Sequence, residues 1–426
     1  MLDIKWIRQH QETIQEVADW KGIDVSIPDL IAWDEQRRRL LQEAETLRNA
    51  RNDLSQQISG LIREGKRDAA AEIKERAKEN NRRLEELSSL LAEAERHYRR
   101  LMLLVPNCVS PDTPVGRSDA DNVVVRTVGS PPCFDFEPKD HAALGEMHGI
   151  VDIARGVKVA GARNYFLVGS GFSLHRAVQQ LALDLLASRG FTAMEVPLLV
   201  REDALTNAGF FPLGQDQTFE LAADRKWLVG TSEVPLISYY GNEVVDVRHP
   251  MKLAAVSNCF RREIGSAGKD VRGLYRVHQF AKVEQVIVCA NDPELSERLL
   301  QQITQNAEDL LQLLELPYRV VAVCTGDMSQ KTYKQYDIET WMPSRQAYGE
   351  THSSSNLHDF QARRSNIKYR DENGELRFCH TLNNTAVATP RILIPLLEVH
   401  QRQDGSIHIP QALRKYMGGM KELTLP

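Results

Sequence analysis

The stretch from Trp33 to Leu104 constrains the fold of this chain most, because it contains no proline and only two glycines. Apolar or small residues recur there in alternating steps of three and four once the polar Arg51 is counted: Leu40, Ala44, Leu47, Leu54, Ile58 and Leu61. A second series holds Asn80 in its one polar position: Ile73, Ala77, Leu84, Leu87, Leu91, Ala94, Tyr98 and Leu101. Such heptad spacing is typical of helices that pair along a seam. The polar REGKRD between the two series predicts a turn, so the helices should pair antiparallel.

These two helices are predicted to project as an arm. Each has about thirty residues and therefore a length of roughly 45 Å at about 1.5 Å per residue, which is too long for a compact domain to cover. The outer faces carry many basic residues among glutamates: Arg48, Arg51, Arg63, Lys66, Arg67, Lys74, Arg76, Lys78, Arg82, Arg83, Arg96, Arg99 and Arg100. By itself, this mixture is typical of a solvated coiled-coil surface.

The prolines of VPNCVSPDTPVG end the second helix and predict a linker, so we divide the chain into residues 1–106 and 107–426. Downstream, strand candidates include AMEVPLLV, KWLVGTSE, LAAVSNCF, YRVHQFAKVEQVIV and YRVVAVCT. LHRAVQQLALDLLASRG and SERLLQQITQNAEDLLQLLE are typical of helices. We predict an α+β domain with a mostly antiparallel sheet. Neither GxGxxG nor GxxxxGK[ST] occurs, which argues against a doubly wound nucleotide-binding fold.

Composition excludes several classes of protein. The net charge of -5 gives no overall positive field, so contact with nucleic acid would need a local basic patch. Six scattered cysteines form no CxxC pair and no Cys/His cluster, so we expect reduced thiols and no zinc. The amino terminus lacks an apolar signal core, and no window resembles a membrane span. We therefore expect a cytoplasmic protein without a membrane partner.

One short segment, FRREIGSAGKDVRGLYRVHQFAKVE, combines an aromatic ring with many charges. If it is a β-hairpin, alternation places Arg261 and Glu263 on one face and Arg262 on the other. Its return strand would place five residues on one face: Arg276, His278, Phe280, Lys282 and Glu284. An exposed charged sheet face is one explanation. A nucleoside triphosphate site is the other, since it needs a ring for the base, arginines for phosphates and carboxylates for an amine or a metal.

At this point the sequence resembles class II aminoacyl-tRNA synthetases, and the segment is very similar to motif 2 of the seryl-tRNA synthetase family, at about residues 258–284. GFTAMEVPLLV, residues 190–200, resembles motif 1, and TSE at 231–233 resembles the TxE element. ETHSSSNLHDFQARR resembles the segment before motif 3, and TLNNTAVATPRILIPLLE, residues 381–398, resembles motif 3 itself. The resemblance spans the whole chain. It implies an antiparallel sheet with flanking helices, a homodimer with motif 1 at the interface, and an arm at about 33–104 that binds tRNA-Ser.

The resemblance also implies roles in ATP binding. Arg261 should bridge the serine carboxylate and the α-phosphate, and Arg391 should bind the γ-phosphate, with Thr389 as an N-cap and Pro390 as the first helical residue. Phe280 and Arg276 should enclose the adenine. The remaining expected ATP contacts are Arg262, Glu263, Val277, Glu350, Thr351, His352 and Ser353. Arg262 and His352 are the weaker assignments, because alternation turns Arg262 away and His352 is more typical of a hydrogen-bonded neighbour than of a base.

Serine and metal sites follow from the same resemblance. Glu350 and Ser353 should hold Mg²⁺, and the expected catalytic residues are Arg261, Arg391 and Glu350. The serine-binding residues implied are Thr231, Ser232, Glu233, Arg261, Glu284, Asn383 and Thr385. Lys269, Asp270 and Arg272, in the loop between the motif 2 strands, are expected to wait in solvent for the tRNA acceptor end.

Four positions depart from the family pattern. Arg262 replaces a small residue, Ile264 replaces alanine, Gly349 replaces an arginine, and Pro395 is expected to remove a donor from the second turn of the motif 3 helix. These departures leave open a specialised paralogue that serves an antibiotic pathway or resistance. A ligase that loads a carrier protein and an inactive RNA-binding homologue are further alternatives, and charging of tRNA-Sec is also open.

Overall fold

The computed structural model describes residues 1–265 and 273–425. The chain divides into two compact units, one formed by Asp3–Val105 and the other by Met1–Leu2 with Pro106–Pro426. No helix among the described residues is both long and apolar enough to cross a membrane. Lys269, Asp270 and Arg272, expected to wait for the tRNA acceptor end, lie outside the described residues.

The amino-terminal unit consists of helices joined by short turns, with no strand among its described residues. Its helices are α1 (Ile4–Gln9), α2 (Gln11–Trp20), α3 (Ile27–Arg63) and α4 (Arg67–Leu104). The Ser26 hydroxyl accepts a hydrogen bond from the Asp29 amide at 3.2 Å, and Pro28 occupies the first turn of α3, where a backbone donor is not needed. Gly65, with a φ of +75°, allows the turn into α4.

Helices α3 and α4 pair antiparallel, which confirms the predicted helical hairpin. The Trp33 and His97 rings stack with centroids 4.2 Å apart near one end, and Asn80 donates to the Leu47 carbonyl at 3.0 Å further along. The predicted polar position of the second series is therefore a real contact across the seam. The helices have 37 and 38 residues, longer than expected, because α3 already begins at Ile27 and α4 runs from Arg67 to Leu104, beyond both ends of its apolar series.

The second unit mixes helices and strands. Its described helices are α5 (His141–Met147), α6 (Ile153–Ala160), α7 (Ser170–Ser188), α8 (Glu202–Asn207), α9 (Glu233–Ser238), α10 (Pro293–Leu313), α11 (Phe360–Ser365) and α12 (Leu393–Val399). Its described strands are β1 (Val123–Val128), β2 (Val151–Asp152), β3 (Phe166–Leu167), β4 (Thr192–Met194), β5 (Leu199–Val200), β6 (Glu220–Leu221), β7 (Lys226–Leu228), β8 (Met251–Phe260), β9 (Gln279–Cys289), β10 (Tyr318–Ala322), β11 (Lys334–Met342), β12 (Ala347–Asn356), β13 (Lys368–Arg370), β14 (Leu376–Phe378), β15 (His380–Thr389), β16 (Ile407–His408) and β17 (Glu422–Leu423). A short 3₁₀ helix at Pro343–Arg345 joins β11 to β12.

An eight-stranded sheet forms the centre of this unit, in the order β1-β10-β11-β12-β15-β9-β8-β4. All its pairs are antiparallel except β4 with β8. Alternation along β9 separates two cores. Val283 and Ile287 pack into the larger cluster with α7 and α10, whereas Val286 and Val288 pack with residues of α9 and α11. The α+β class with a mostly antiparallel sheet is confirmed.

Several predicted strands are shorter than expected. The strand in KWLVGTSE ends at Leu228, and Glu233 begins α9 instead of extending a strand. In the motif 2 segment, β8 ends at Phe260 and β9 begins only at Gln279. Strand geometry therefore holds for Phe280, Lys282 and Glu284, whereas the residues closer to the loop do not lie in a strand.

Candidate active site

A cavity of about 280 Å³ opens beside β8, β9, β12 and β15. Thirteen of the predicted site residues line it: Thr231, Glu233, Arg261, Glu263, Val277, Phe280, Glu284, Glu350, Thr351, Ser353, Asn383, Thr385 and Arg391. Four predicted residues are not among its lining: Ser232, Arg262, Arg276 and His352. Elements far apart in the chain thus converge on one concave site, the usual form of a small-molecule site.

The motif 2 residues reach the cavity by a route that strand alternation does not describe. Glu263 has a φ of +51°, a left-handed conformation that turns its side chain inward, where it is 8% exposed. Its carboxylate accepts a hydrogen bond from Arg276 at 3.3 Å. The Arg261 guanidinium lies 5.3 Å from the centroid of the Phe280 ring and donates to the Gly230 carbonyl at 3.3 Å. Arg276 therefore contacts the site through Glu263.

Two departures from the family pattern lie outside the cavity. Arg262 is exposed, and its amide donates to the Gln217 carbonyl at 2.9 Å. Ile264 is 48% exposed, and its amide donates to the Gln217 side chain at 3.0 Å. The expected contact of Arg262 with ATP is not supported by this geometry. The exposed positions explain why large side chains are accommodated here.

A β-bulge places Glu350 and Ser353 on the same side of the sheet. Ile338 pairs with His352 and Glu339 pairs with Glu350, so Thr351 is the extra residue of β12. A bulge shifts the two-residue alternation by one position. As a result, Glu350 and Ser353 both line the cavity although they are three residues apart.

His352 belongs to the core behind the site. It is 1% exposed, and its Nδ1 lies 2.8 Å from the Thr351 hydroxyl. Burial lowers the pKa of His352 to about 3, because the charged imidazolium would lose its hydration. The imidazole is therefore neutral at physiological pH and cannot balance phosphate charge.

The motif 3 arginine is held differently from the prediction. Thr389 is the last residue of β15, and α12 begins at Leu393, so Thr389 as an N-cap and Pro390 as the first helical residue are both wrong. Arg391 is instead fixed by four contacts, one of which is an ion pair with Oε2 of Glu350 at 3.6 Å. It donates to the carbonyls of Tyr275 at 3.2 Å and Glu350 at 3.3 Å, and it lies 4.5 Å from the centroid of the Tyr275 ring.

The other two departures also have a local explanation. Pro395 lies in the first turn of α12, where the backbone amide has no helical acceptor, so the expected loss of a hydrogen bond in the second turn is wrong. Gly349 packs tightly, because an added Cβ would lie 3.1 Å from the Met342 sulfur and 3.4 Å from the Tyr275 hydroxyl. An arginine side chain at position 349 would therefore displace its neighbours.

A buried network of charges forms the end of the cavity near the TxE element. Glu233 is 4% exposed, and its Oε1 accepts hydrogen bonds from the Lys331 ammonium and, at 2.8 Å, from Gln361. The Lys331 ammonium also lies 3.8 Å from the centroid of the Phe210 ring. Burial lowers the pKa of Lys331, although Glu233 opposes the shift.

A second buried pair lies on β9. The Lys282 ammonium is 2.6 Å from Oε2 of Glu284, and Glu284 is 1% exposed. Burial raises the pKa of Glu284, and the attraction of Lys282 opposes that rise. The amide nitrogen of Asn383 is buried and has no hydrogen-bond partner among the residues that the structure describes, so a donor is available in this wall. Together these groups form a small polar pocket with several directed donors and acceptors.

Some lining residues were missed by the sequence analysis. Lys331 and Phe210 lie in loops outside the motifs, and nothing in their spacing indicates a shared site. Tyr275 precedes Arg276 in the motif 2 segment, so strand alternation would turn it away from the site, but the structure has no strand at this position. Asp337 does not line the cavity, but it is buried behind it and interacts with the Ser353 hydroxyl, and its sequence position in KQYDIETW does not indicate that contact.

Comparisons with known proteins agree along the chain. Residues 1–109 match the family described as "Seryl-tRNA synthetase N-terminal domain", and residues 218–400 match "tRNA synthetase class II core domain (G, H, P, S and T)". A protein named "Serine--tRNA ligase" from Deinococcus radiodurans is 43% identical over 435 residues, which cover 100% of both chains. One from Brucella abortus is 40% identical over 433 residues, which cover 99% of each.

Solved structures show the same similarity. The seryl-tRNA synthetase of Pyrococcus horikoshii complexed with ATP superimposes with a TM-score of 0.90 at 35% identity, and all of both chains is covered. The cytoplasmic serine-tRNA ligase of Naegleria fowleri in complex with AMP gives a TM-score of 0.84 at 27% identity, with 100% and 99% of the two chains covered.

Proposed function

The chain belongs to the seryl-tRNA synthetase family and is a serine–tRNA ligase, and we propose that the cavity forms seryl-adenylate from L-serine and ATP. The observation that carries this proposal is the convergence of motif 2, motif 3 and the TxE element on one polar cavity. In the first step, a serine carboxylate oxygen bonds to the α-phosphorus while the bond to pyrophosphate breaks. In the second step, a ribose hydroxyl of tRNA-Ser takes the seryl group, and AMP leaves.

Both steps move negative charge, so fixed positive groups can provide most of the catalysis. Arg261 bridges the serine carboxylate and the α-phosphate, since its planar guanidinium can donate to two oxygens at once. The Phe280 ring beside it supports the adenine, with Glu263 and the Val277 backbone at the base edge. Arg391 binds the γ-phosphate. The positions of these side chains support the assigned roles. They line the cavity, and Arg261 and Arg391 are held there by hydrogen bonds to backbone carbonyls.

The donor set at the phosphate end fits Mg²⁺. The Glu350 carboxylate and the Ser353 hydroxyl face the cavity together, and hard divalent cations of this size prefer such oxygens beside phosphates. The Ser353 hydroxyl also accepts a hydrogen bond from Gln335 at 3.2 Å and interacts with the Asp337 carboxylate, which orients its lone pairs. When bound, Mg²⁺ would neutralise charge on the triphosphate.

The buried network of charges is assigned to the binding of serine. Glu233 and Thr231 hold the substrate ammonium, because two donors occupy Oε1 of Glu233 and leave Oε2 for the substrate. Glu284, Thr385 and Asn383 read the serine hydroxyl. A site that leaves such polar groups unpaired with the wrong substrate discriminates strongly, since each unpaired buried group carries a desolvation cost.

The function is tested by assaying ATP–pyrophosphate exchange with a panel of amino acids. We expect exchange with L-serine and a value of kcat/KM for L-alanine lower by about a thousandfold or more, because alanine leaves the hydroxyl-reading groups unpaired. Absence of exchange at saturating L-serine would show that the chain does not activate serine. Charging assays with tRNA-Ser and with a carrier protein then identify the acceptor, and the carrier protein is expected to remain unmodified.

A second copy of this chain is the proposed partner of an apolar groove. Val159, Phe166 and Phe172 line it and are 71%, 44% and 56% exposed, and Phe280 forms part of its wall. Helix α7, which begins beside the groove, leads into β4 of motif 1, the edge strand of the central sheet. A groove with three exposed apolar side chains is suited to self-association. A homodimer would also support Phe280 from behind.

The Phe172→Asp variant should reduce the dimer to a monomer, because a charge in an apolar interface would have to be desolvated. Light scattering after size exclusion measures the mass. Val115→Asp is the matched control, since Val115 is 63% exposed and does not line the groove, and this variant should remain dimeric. A monomeric wild type, or dissociation of both variants, would show that this groove does not join two copies.

A further inference from the structure

A fully buried carboxylate joins three separate parts of the chain behind the phosphate end of the cavity. Glu398 in α12 is 0% exposed. Its Oε1 accepts hydrogen bonds from the His141 amide at 2.9 Å, from His141 Nδ1 at 2.8 Å and from the Ser344 hydroxyl at 2.9 Å. Its Oε2 accepts from the Ser344 amide at 2.9 Å. Four donors on one buried carboxylate hold α5, α12 and the β11–β12 connection together.

The imidazole of His141 links Glu398 to the motif 2 segment. Because Nδ1 donates to Glu398, Nε2 is the acceptor, and the Leu274 amide donates to it at 3.2 Å. The ring lies directly against Gly273, where an added Cβ would be only 2.1 Å from Nε2. The requirement for glycine at position 273 thus comes from this contact as well as from its φ of +78°.

The neighbour of Leu274 is the residue that holds the proposed phosphate ligands. Tyr275 accepts a hydrogen bond from Arg391 through its carbonyl at 3.2 Å and donates from its hydroxyl to the Glu350 carbonyl at 3.3 Å. On its ring, Arg345 stacks at 3.9 Å from the centroid. Arg345 follows Ser344, which is bound to Glu398. These contacts therefore form a closed network. It runs from Glu398 through His141 and Leu274 to Tyr275, and returns to Glu398 through Arg345 and Ser344.

We propose that Glu398 and His141 are positioning residues for ATP: through the Leu274 amide they fix Tyr275, and thereby the orientation of Arg391 and Glu350 toward the triphosphate. The proposal rests on the proposed roles of Arg391 and Glu350. The carboxylate sets the tautomer of His141, and the unprotonated Nε2 satisfies a backbone donor at the inner end of the motif 2 loop. Neither residue lines the cavity, so neither touches the substrate.

Two substitutions at His141 test the contributions of its two ring nitrogens separately. His141→Asn retains an amide donor near the position of Nδ1 but removes the acceptor for Leu274, whereas His141→Gln places an amide oxygen near the position of Nε2. We expect the Asn variant to raise the Kd for a non-hydrolysable ATP analogue and the KM for ATP by about tenfold, with the KM for L-serine changed less than twofold. The Gln variant should recover part of the ATP affinity.

His148→Asn is the matched control, because His148 follows the same helix and binds the Gly405 carbonyl at 2.9 Å without contacting motif 2. It should lower the melting temperature less than His141→Asn, because His148 is only partly buried, and it should leave ATP affinity unchanged. Unchanged ATP affinity in His141→Asn, or an equal loss in His148→Asn, would overturn the inference. A wild type without serine-dependent exchange would instead overturn the proposed function, which distinguishes the two failures.

Discussion

Shortening the helical hairpin by deleting residues 48–79 is expected to abolish charging of tRNA-Ser while leaving serine activation intact. The Leu47 carbonyl and the Asn80 side chain are joined at 3.0 Å, so a short glycine linker can bridge the cut without unravelling the base of the hairpin. The buried cluster of Leu40, Leu87 and Leu91 stays in place. We expect kcat/KM for tRNA to fall by at least about a hundredfold, and ATP–pyrophosphate exchange to change less than twofold.

The reason lies in the basic surface of the helical hairpin, part of which the deletion removes. All the basic residues predicted on the outer faces are exposed. Lys78, Arg82 and Arg83 form salt bridges with glutamates, whereas no salt bridge within the described residues involves Arg48, Arg51 or Arg76. Basic side chains without an acidic partner are free to contact RNA phosphates, and such contacts are lost as salt rises.

A matched pair of point variants tests the same surface without a deletion. Replacing Arg48 and Arg51 with alanine should weaken tRNA charging and reduce its dependence on salt concentration, because two phosphate contacts are removed. Replacing Lys78 and Arg82, which are already paired with glutamates, should have a smaller effect. Full charging activity in the deletion variant would show that the hairpin does not hold the tRNA.

The parts of this fold that follow a regular period were predictable from the sequence. The heptad series predicted α3 and α4, including the polar contact of Asn80, because side-chain periodicity survives in a real helical pair. Alternation correctly placed Phe280 and Glu284 together, since both lie within β9. The family resemblance supplied the remaining site residues, and most of them line one cavity.

A regular period does not describe the backbone at several site residues, and at Thr389 this made the prediction wrong. Glu263 adopts a left-handed conformation, and the bulge at Thr351 shifts the alternation of β12. Thr389 remains in β15 instead of capping a helix. Each of these is a local choice of backbone that depends on the packing around it, and a pattern of residue types does not encode it.

Long-range contacts could not be predicted from the sequence for a different reason. His141 and Glu398 are separated by 257 residues, and Lys331 and Glu233 by 98. Neither pair has a spacing that marks it, because the two partners lie on elements that meet only in the folded chain. A resemblance transfers the residues of known motifs, whereas the groups that hold those residues in place become visible only with side-chain contacts.

The second large effect is expected for Arg261→Ala, with Arg262→Ala as its neighbour and control. Arg261 lines the cavity beside Phe280, and its proposed contacts are the serine carboxylate and the α-phosphate, where negative charge shifts during activation. Losing one such charge-stabilising donor costs about a hundredfold to a thousandfold in kcat. We therefore expect exchange to fall about a thousandfold in Arg261→Ala and less than twofold in Arg262→Ala, whose side chain is exposed.

A lysine at position 261 separates the contribution of the positive charge from that of the guanidinium geometry. Arg261→Lys keeps the positive charge but loses the planar pair of donors, so it should recover only part of the lost activity, with most of the remaining defect in kcat. If Arg262→Ala were as impaired as Arg261→Ala, the backbone beyond Phe260 would have to turn the opposite way when ATP binds. The inward conformation of Glu263 and its contact with Arg276 argue against such a reversal, because both place residues 261 and 263 on the cavity side and residue 262 in solvent.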